Sequence, residues 1–228
     1  MRRFRDRVDA GHQVARLLVH LRGQDCVVLG LPRGGVPVAS EVAEALHAPL
    51  DVLVVRKLGV PFHEELAMGA IGEAGFLVAS QDVVEQVGVT AQQWQAVESR
   101  ERAELERRVA RYRQGREPVD LRGRVAVIVD DGIATGSTAR VACDVARHFG
   151  ASRVVLAAPV APAETLRTLG CADEVVVVET PDRFGSVGQY YDDFSATEDH
   201  EVIRLLASGP GLSGEPGGLT PDVRPPSG

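Results

Sequence analysis

Five short apolar runs, rich in β-branched residues, stand out along the chain: CVVLG (26–30), DVLVV (51–55), RVAVIVD (124–130), RVVLAAP (153–159) and EVVVVET (174–180). Each is nearly continuous rather than alternating, which is the pattern of a strand covered on both faces. Between them the apolar positions take helical spacing, over 35–47, 138–149 and 162–170, and the N-terminal MRRFRDRVDAGHQVARLL reads as a further amphipathic helix. This alternation predicts an α/β fold: a doubly wound, mainly parallel sheet of about five strands flanked by helices. Ligands on such sheets bind at the carboxyl ends of strands, so the residues after Gly30, Val55, Val129, Pro159 and Glu179 are the ones to inspect.

Two segments break the rhythm. Residues 58–80 (LGVPFHEELAMGAIGEAGFLVAS) hold several glycines and two short apolar stretches, and read as a loop followed by a small hairpin. Residues 90–117 are charged and helical: Glu101, Glu104 and Glu106 alternate with Arg102, Arg107 and Arg108, beside a thin stripe of Trp94, Val97, Leu105, Val109 and Tyr112. Such a helix suits a solvated position packed along one edge, and contact with a second copy, as in a homodimer, is the other use for the stripe. From Ser208 to Gly228 the chain holds six Gly and five Pro, so 208–228 is expected to be a disordered tail and 1–207 a single domain.

Composition narrows the function classes. The net charge of −7 argues against sequence-independent binding to nucleic acid. No apolar run approaches the roughly 20 residues of a membrane span, and the N-terminus lacks the apolar core of a signal peptide, so a cytoplasmic location is expected. Cys26, Cys143 and Cys171 are widely spaced and lie in or beside apolar runs, which suits reduced, buried thiols and supports neither a disulfide nor a metal site. Of 25 basic residues only Lys57 is not Arg. The lone Lys is a candidate for a position where a compact ammonium serves better than a planar guanidinium, chance being the rival and its position in the fold the arbiter.

The most informative stretch is VAVIVDDGIATGSTAR (125–140). Its apolar run places Asp130 and Asp131 at the carboxyl end of a central strand, and a loop of small residues then leads into a helix. Gly136 allows close backbone approach, and Ser137 and Thr138 add hydroxyls beside free N–H groups at the helix start, so the loop is a cradle for a phosphate. Two carboxylates cannot share that task, but they accept hydrogen bonds from vicinal hydroxyls. A ribose 5-phosphate satisfies both halves.

This stretch resembles the phosphoribosyl diphosphate signature of type I phosphoribosyltransferases, in which four or five apolar residues and two acids precede a loop ending T-G-x-T. The resemblance implies that Asp130 and Asp131 hold the ribose hydroxyls and that Ala134, Thr135, Gly136, Ser137 and Thr138 hold the 5-phosphate. It implies that Arg33-Gly34-Gly35, in LPRGGVPVA after the first strand, bind the diphosphate. Arg56 and Lys57, after DVLVV, stand where the family carries a basic residue for the same group. The 58–80 segment takes the place of a mobile loop that closes over the site. Within it, His63-Glu64 begins like a zinc-protease motif, but Ala67 replaces the second His, so His63 reads as an exposed loop residue and no protein metal site is expected.

The hood that contacts the accepting base falls in 180–207, where Phe184, Tyr190, Tyr191 and Phe194 stack on a base or seal the domain edge. Members acting on 6-oxopurines carry an acid where Ala134 stands, which argues against hypoxanthine or guanine. The implied reaction moves ribose 5-phosphate from phosphoribosyl diphosphate to a nitrogen of a nucleobase-like acceptor and releases diphosphate. Lys57, Arg33 and Mg²⁺ neutralise the leaving group while Asp130 and Asp131 steady the ring, with Mg²⁺ held mainly by diphosphate and ribose oxygens. A regulator that senses phosphoribosyl diphosphate without turnover, and a hydrolase or phosphorylase of phosphorylated sugars, are the competing readings.

Overall fold

The computed structural model describes residues 3–209. The expected Gly/Pro-rich tail lies, beyond Gly209, outside the described residues. Helix α1 (Arg7–Leu17) opens the chain, capped by the Asp6 carboxylate, which accepts from the Asp9 amide at 2.8 Å. Strand β1 (Cys26–Gly30), helix α2 (Gly35–Leu46) and strand β2 (Leu50–Val52) follow. An antiparallel unit comes next: β3 (Val55–Val60), β4 (His63–Gly72) and β5 (Leu77–Ala79). Helices α3 (Gln81–Val87) and α4 (Ala91–Arg113) lead to β6 (Val125–Val129), α5 (Ser137–His148), β7 (Arg153–Val160), α6 (Ala163–Leu169), β8 (Glu174–Glu179) and α7 (Asp199–Ser208).

Five strands form one wholly parallel sheet in the order β2-β1-β6-β7-β8, with β6 at its centre. Successive side chains on β6 go to opposite faces, as the strand period requires. Val127 and Val129 join Val14, Val38 and Val42 of α1 and α2 in one core, while Ala126 and Ile128 join Ala142, Cys143 and Ala146 of α5 in the other. The expected α/β sheet with helices on both sides is the observed one. Among the described residues no helix is long and apolar enough to cross a membrane.

One strand differs from expectation. DVLVV is not a single strand: β2 ends at Val52, and Val55 already belongs to the antiparallel sheet, whose order is β3-β4-β5. Leu53 and Val54 make the transfer, with the Leu53 amide donating to Gly30 O (3.2 Å) and the Val54 amide to the Glu73 carboxylate (3.0 Å). Burial runs unbroken through Val52, Leu53 and Val54, so hydropathy carries no mark of the break. Residues 58–60 are therefore strand rather than loop. The hairpin turns at Pro61-Phe62, where Phe62 has φ +69 and is 94% exposed, and His63, also exposed, opens β4.

The expected 90–117 helix is α4, started by a capping box between Thr90 and Gln93. Val97, Leu105 and Tyr112 of its stripe are buried. Its last turn carries Arg113 into the interior, where the guanidinium donates to both oxygens of Asp51 (2.7 Å each), to Glu73 (2.9 Å) and to Val52 O (3.1 Å). That network ties α4 to the place where the chain changes sheets.

Candidate active site

Strand β6 delivers Asp130 and Asp131 to the carboxyl edge of the parallel sheet, and the loop 132–136 runs into α5. Gly136, with φ +76, adopts a conformation in which any side chain would be strained. The Thr135 and Ser137 hydroxyls lie 3.0 Å apart, and Ala134 O accepts from the Thr165 hydroxyl of α6 at 2.7 Å. Asp130 and the run Gly132 to Ala139 enclose a cavity of about 160 Å³. Free helix amides and three hydroxyls around so small a hollow make a seat for an anion.

A second cavity, of about 390 Å³, adjoins the first, and Thr138 lines both. Its other walls are Pro32 before the first-loop glycines, Val55, Arg56, Lys57 and Gly59 of β3, Glu64 of β4, and Arg100, Glu101 and Arg108 of α4. Four cations against two carboxylates make this the better seat for a polyanion. The Arg56 guanidinium is oriented by Glu101, which is buried and accepts from Arg56 Nε at 2.8 Å. A larger hollow, about 600 Å³, lies elsewhere, around Glu73, Ala74 and Pro118, and includes none of these residues.

The Arg33-Gly34-Gly35 loop is folded directly against the acid pair. A side chain on Gly34 would collide with the Asp131 carboxylate, and a Cβ on Gly35 would come within 2.9 Å of Asp130 Cα. The Pro32–Arg33 peptide is cis. Arg33 itself reaches toward Asp199 at the start of α7 (3.8 Å), which also accepts from the Tyr112 hydroxyl (2.9 Å) and pairs with Arg111.

The two acids differ electrostatically. Asp130 is held in a confined position, its Oδ1 accepting from the Asp131 amide (2.9 Å). Burial, reinforced by the Asp131 charge, pushes its carboxyl up to about 8. Burial also raises Asp131, but Arg7 of α1 opposes the shift by pairing with it at 2.8 Å. The Asp131 carbonyl accepts from the Tyr191 hydroxyl at 2.6 Å, and burial pushes that phenol above its ordinary range.

The 180–207 aromatics divide. Tyr190 and Tyr191 are buried and packed with Phe4, so they seal the domain edge. Phe184 stacks on Tyr190 with ring centroids 5.7 Å apart, and the partly exposed Phe194 lies under the Arg7 guanidinium at 4.1 Å.

The structure thus brings together Asp130, Ala134, Thr135, Gly136, Ser137 and Thr138 around one cavity, Arg56 and Lys57 with Thr138 around the other, and Gly34 and Gly35 against the acids. Arg33 borders this group rather than lining either cavity. Arg56 and Lys57 reach the site from β3 of the antiparallel sheet, not from the end of a parallel strand, because the chain leaves the parallel ladder at Leu53. Sequence reasoning missed Arg7, Arg100 and the role of α4 as a wall. Glu101 and Arg108 sit in an ordinary alternation of charges, and nothing in it distinguishes them from the solvated Glu104 and Arg107.

Comparison with known proteins adds a family context. The model of the phosphoribosyl transferase domain family matches residues 8–194. Two Mycobacterium tuberculosis proteins, "Putative phosphoribosyl transferase MT0597" of strain CDC 1551 and "Putative phosphoribosyl transferase Rv0571c" of strain H37Rv, are each 57% identical over 207 residues, covering 90% of this chain and 47% of the relative. The chain therefore spans about half the length of these curated relatives. The crystal structure of TT1426 from Thermus thermophilus superposes with a TM-score of 0.81 at 43% identity, covering 92% of this chain and all of that one.

Proposed function

The chain belongs to the phosphoribosyl transferase domain family, and from that premise we propose that it transfers ribose 5-phosphate from phosphoribosyl diphosphate to a nitrogen of a nucleobase-like acceptor, in the cytoplasm. One observation carries this reading. A phosphate-sized cavity bordered by Asp130 and a cation-rich cavity containing Arg56 and Lys57 share the wall at Thr138. The 5-phosphate would sit in the first, with the Asp130 and Asp131 carboxylates accepting from the 2′- and 3′-hydroxyls. The diphosphate would extend into the second.

In this reaction the C1–oxygen bond breaks, diphosphate departs, an acceptor nitrogen bonds to C1 and then loses its proton. Charge separates before the new bond is complete, so placement and electrostatics matter more than a strong base. Lys57, Arg56 and, from the cavity's edge, Arg33 would hold the departing diphosphate, and Arg100 and Arg108 of α4 extend the same field. Asp130 and Asp131 would fix the ring, and Asp131, together with Asp130 once it gives up its proton, would offset the positive charge on it. A Mg²⁺ would rest mainly on diphosphate and ribose oxygens with water, as such ions keep several waters and bind through substrate phosphates. When bound it would supply further charge neutralisation to the leaving group.

Ala134 gives no acid to a 6-oxopurine, and the burial of Tyr190 and Tyr191 leaves Phe194 and Phe184 as the accessible rings. Those buried tyrosines are the feature that favours a second reading, a sensor of phosphoribosyl diphosphate. Incubating the protein with phosphoribosyl diphosphate, Mg²⁺ and a panel of purine, pyrimidine and pyridine bases, while following diphosphate, tests both. Acceptor-dependent release supports the transferase. Binding without release supports the sensor, and release without any acceptor points to a hydrolase.

A further inference from the structure

Two of the three cysteines, isolated in sequence, are neighbours in space. Cys143, fully buried on α5, places its Sγ 3.1 Å from that of Cys171, which is half-buried just beyond α6. Cys26 is apart, its thiol directed at Leu21 O (3.7 Å). Two arginines of α5 hold the approach in place: Arg140 donates to Thr168 Oγ1 (3.1 Å) and Leu169 O (3.3 Å), and Arg147 to Cys171 O (3.1 Å). We propose that Cys143 and Cys171 are a reversible dithiol–disulfide site, oxidised by a low-molecular-weight disulfide.

The geometry assigns the roles. Cys171 is the accessible thiol, and its contact with Cys143, aided by the nearby Arg140 charge, holds it down to about 7. The contact with Cys171, together with burial, pushes Cys143 up. A thiolate at Cys171 attacks one sulfur of the external disulfide and expels one thiolate, which takes up a proton. Cys143, already in contact, then gives up its proton and attacks the Cys171 sulfur of the mixed disulfide. The second external thiolate leaves and is protonated. The protein dithiol has lost two electrons and two protons in all, and the oxidant has become two thiols.

The bond would join the two elements that adjoin the phosphate loop. Its Cys171 end follows α6, whose Thr165 hydroxyl holds Ala134 O, and its Cys143 end lies on the helix that starts at Ser137. Oxidation would clamp these two supports together, which gives the anion seat a covalent backing that depends on redox conditions.

The test is to incubate the full chain with oxidised glutathione, quench, and count thiols under denaturing conditions. The expected result is a fall from three thiols to one, a mass about 2 Da lower, and a cross-linked peptide pair containing Cys143 and Cys171, all reversed by dithiothreitol. Cys171→Ser should keep both remaining thiols without a mass change. Cys143→Ser should stop at a glutathione adduct on Cys171, a readout that needs only the more accessible of the two thiols. Three persistent thiols, a stable glutathione adduct on the unsubstituted protein, or a disulfide joining two chains would each overturn the assignment.

Discussion

Arg7 and Asp131 are 124 positions apart and form a two-pronged ion pair, with Arg7 Nε 2.9 Å and Nη2 2.8 Å from the same carboxylate oxygen. The third prong, Nη1, donates to Ser195 O at 2.7 Å while the guanidinium rests on the Phe194 ring. One side chain thus joins the N-terminal helix, the acid pair and the C-terminal segment. Both partners are only slightly exposed, 12% and 15% by side chain, so the pair is shielded from most solvent screening.

Arg7→Gln should therefore destabilise the protein by about 2–4 kcal/mol, since it leaves Asp131 enclosed beside a second acid with no counter-charge. Urea denaturation at neutral pH measures this. Arg7→Lys should recover only part of the loss, because an ammonium cannot reproduce the fork. A loss under about 1 kcal/mol would mean that the pair is no stronger than a surface one.

Asp130 makes stability depend on pH in a direction opposite to most carboxylates. Its folded value, near 8, lies above its ordinary value of 3.8, so between those limits the folded state binds more protons than the unfolded state. Stability should then decline as pH rises, with the penalty complete only above the folded value. Asp130→Asn mimics the protonated acid. The variant's melting temperature should exceed that of the unsubstituted protein by a margin that widens from pH 5 to pH 9. A constant margin across that range would show that Asp130 is already ionised in the free protein.

What could be read from the sequence follows the reach of local signals. β1 and the signature loop were legible because all their information lies within a few consecutive residues: CVVLG is a strand to the residue, and Asp130 with Gly132 through Thr138 surround one hollow. The exit of the chain at Leu53 was not, since the signal is the Val54 amide meeting Glu73, 19 positions away. Arg7, Arg113 and the Cys143–Cys171 contact share that character. Each is an ordinary residue of its own helix or loop, and only packing between distant segments makes it special. The alternating charges of α4 predicted a solvated face correctly for Arg107, but Glu101 on the same helix is buried against Arg56.

The Arg113 network offers a test away from the candidate site. All of Asp51, Glu73 and Arg113 are buried, and Asp51 also accepts from the Val119 amide at 2.9 Å. Arg113→Met fills similar space but strands two carboxylates, and should cost about 3–5 kcal/mol. The triple variant Asp51→Asn, Glu73→Gln, Arg113→Met should recover part of this, because neutral amides remove the stranded charges. If the single and triple variants unfold at the same urea concentration, charge is not the origin of the loss.

Lys57 tests the proposed chemistry itself. It stands on β3 in the wall of the cation-rich cavity, and α4 behind that wall contributes Arg100 and Arg108. If the cavity holds the departing diphosphate, Lys57→Ala removes a charge whose value grows as the C1–oxygen bond breaks. Transition-state stabilisation should fall by about 2–4 kcal/mol, seen mostly in kcat. Ribose 5-phosphate has no diphosphate and should bind both proteins alike by calorimetry, because the proposed contacts for it lie with Asp130 and the 134–138 loop. Asp130→Asn combined with Asp131→Asn should do the reverse and weaken both ligands. Loss of ribose 5-phosphate affinity in Lys57→Ala would place the ammonium on the 5-phosphate side of Thr138 and exchange the assignments of the two cavities.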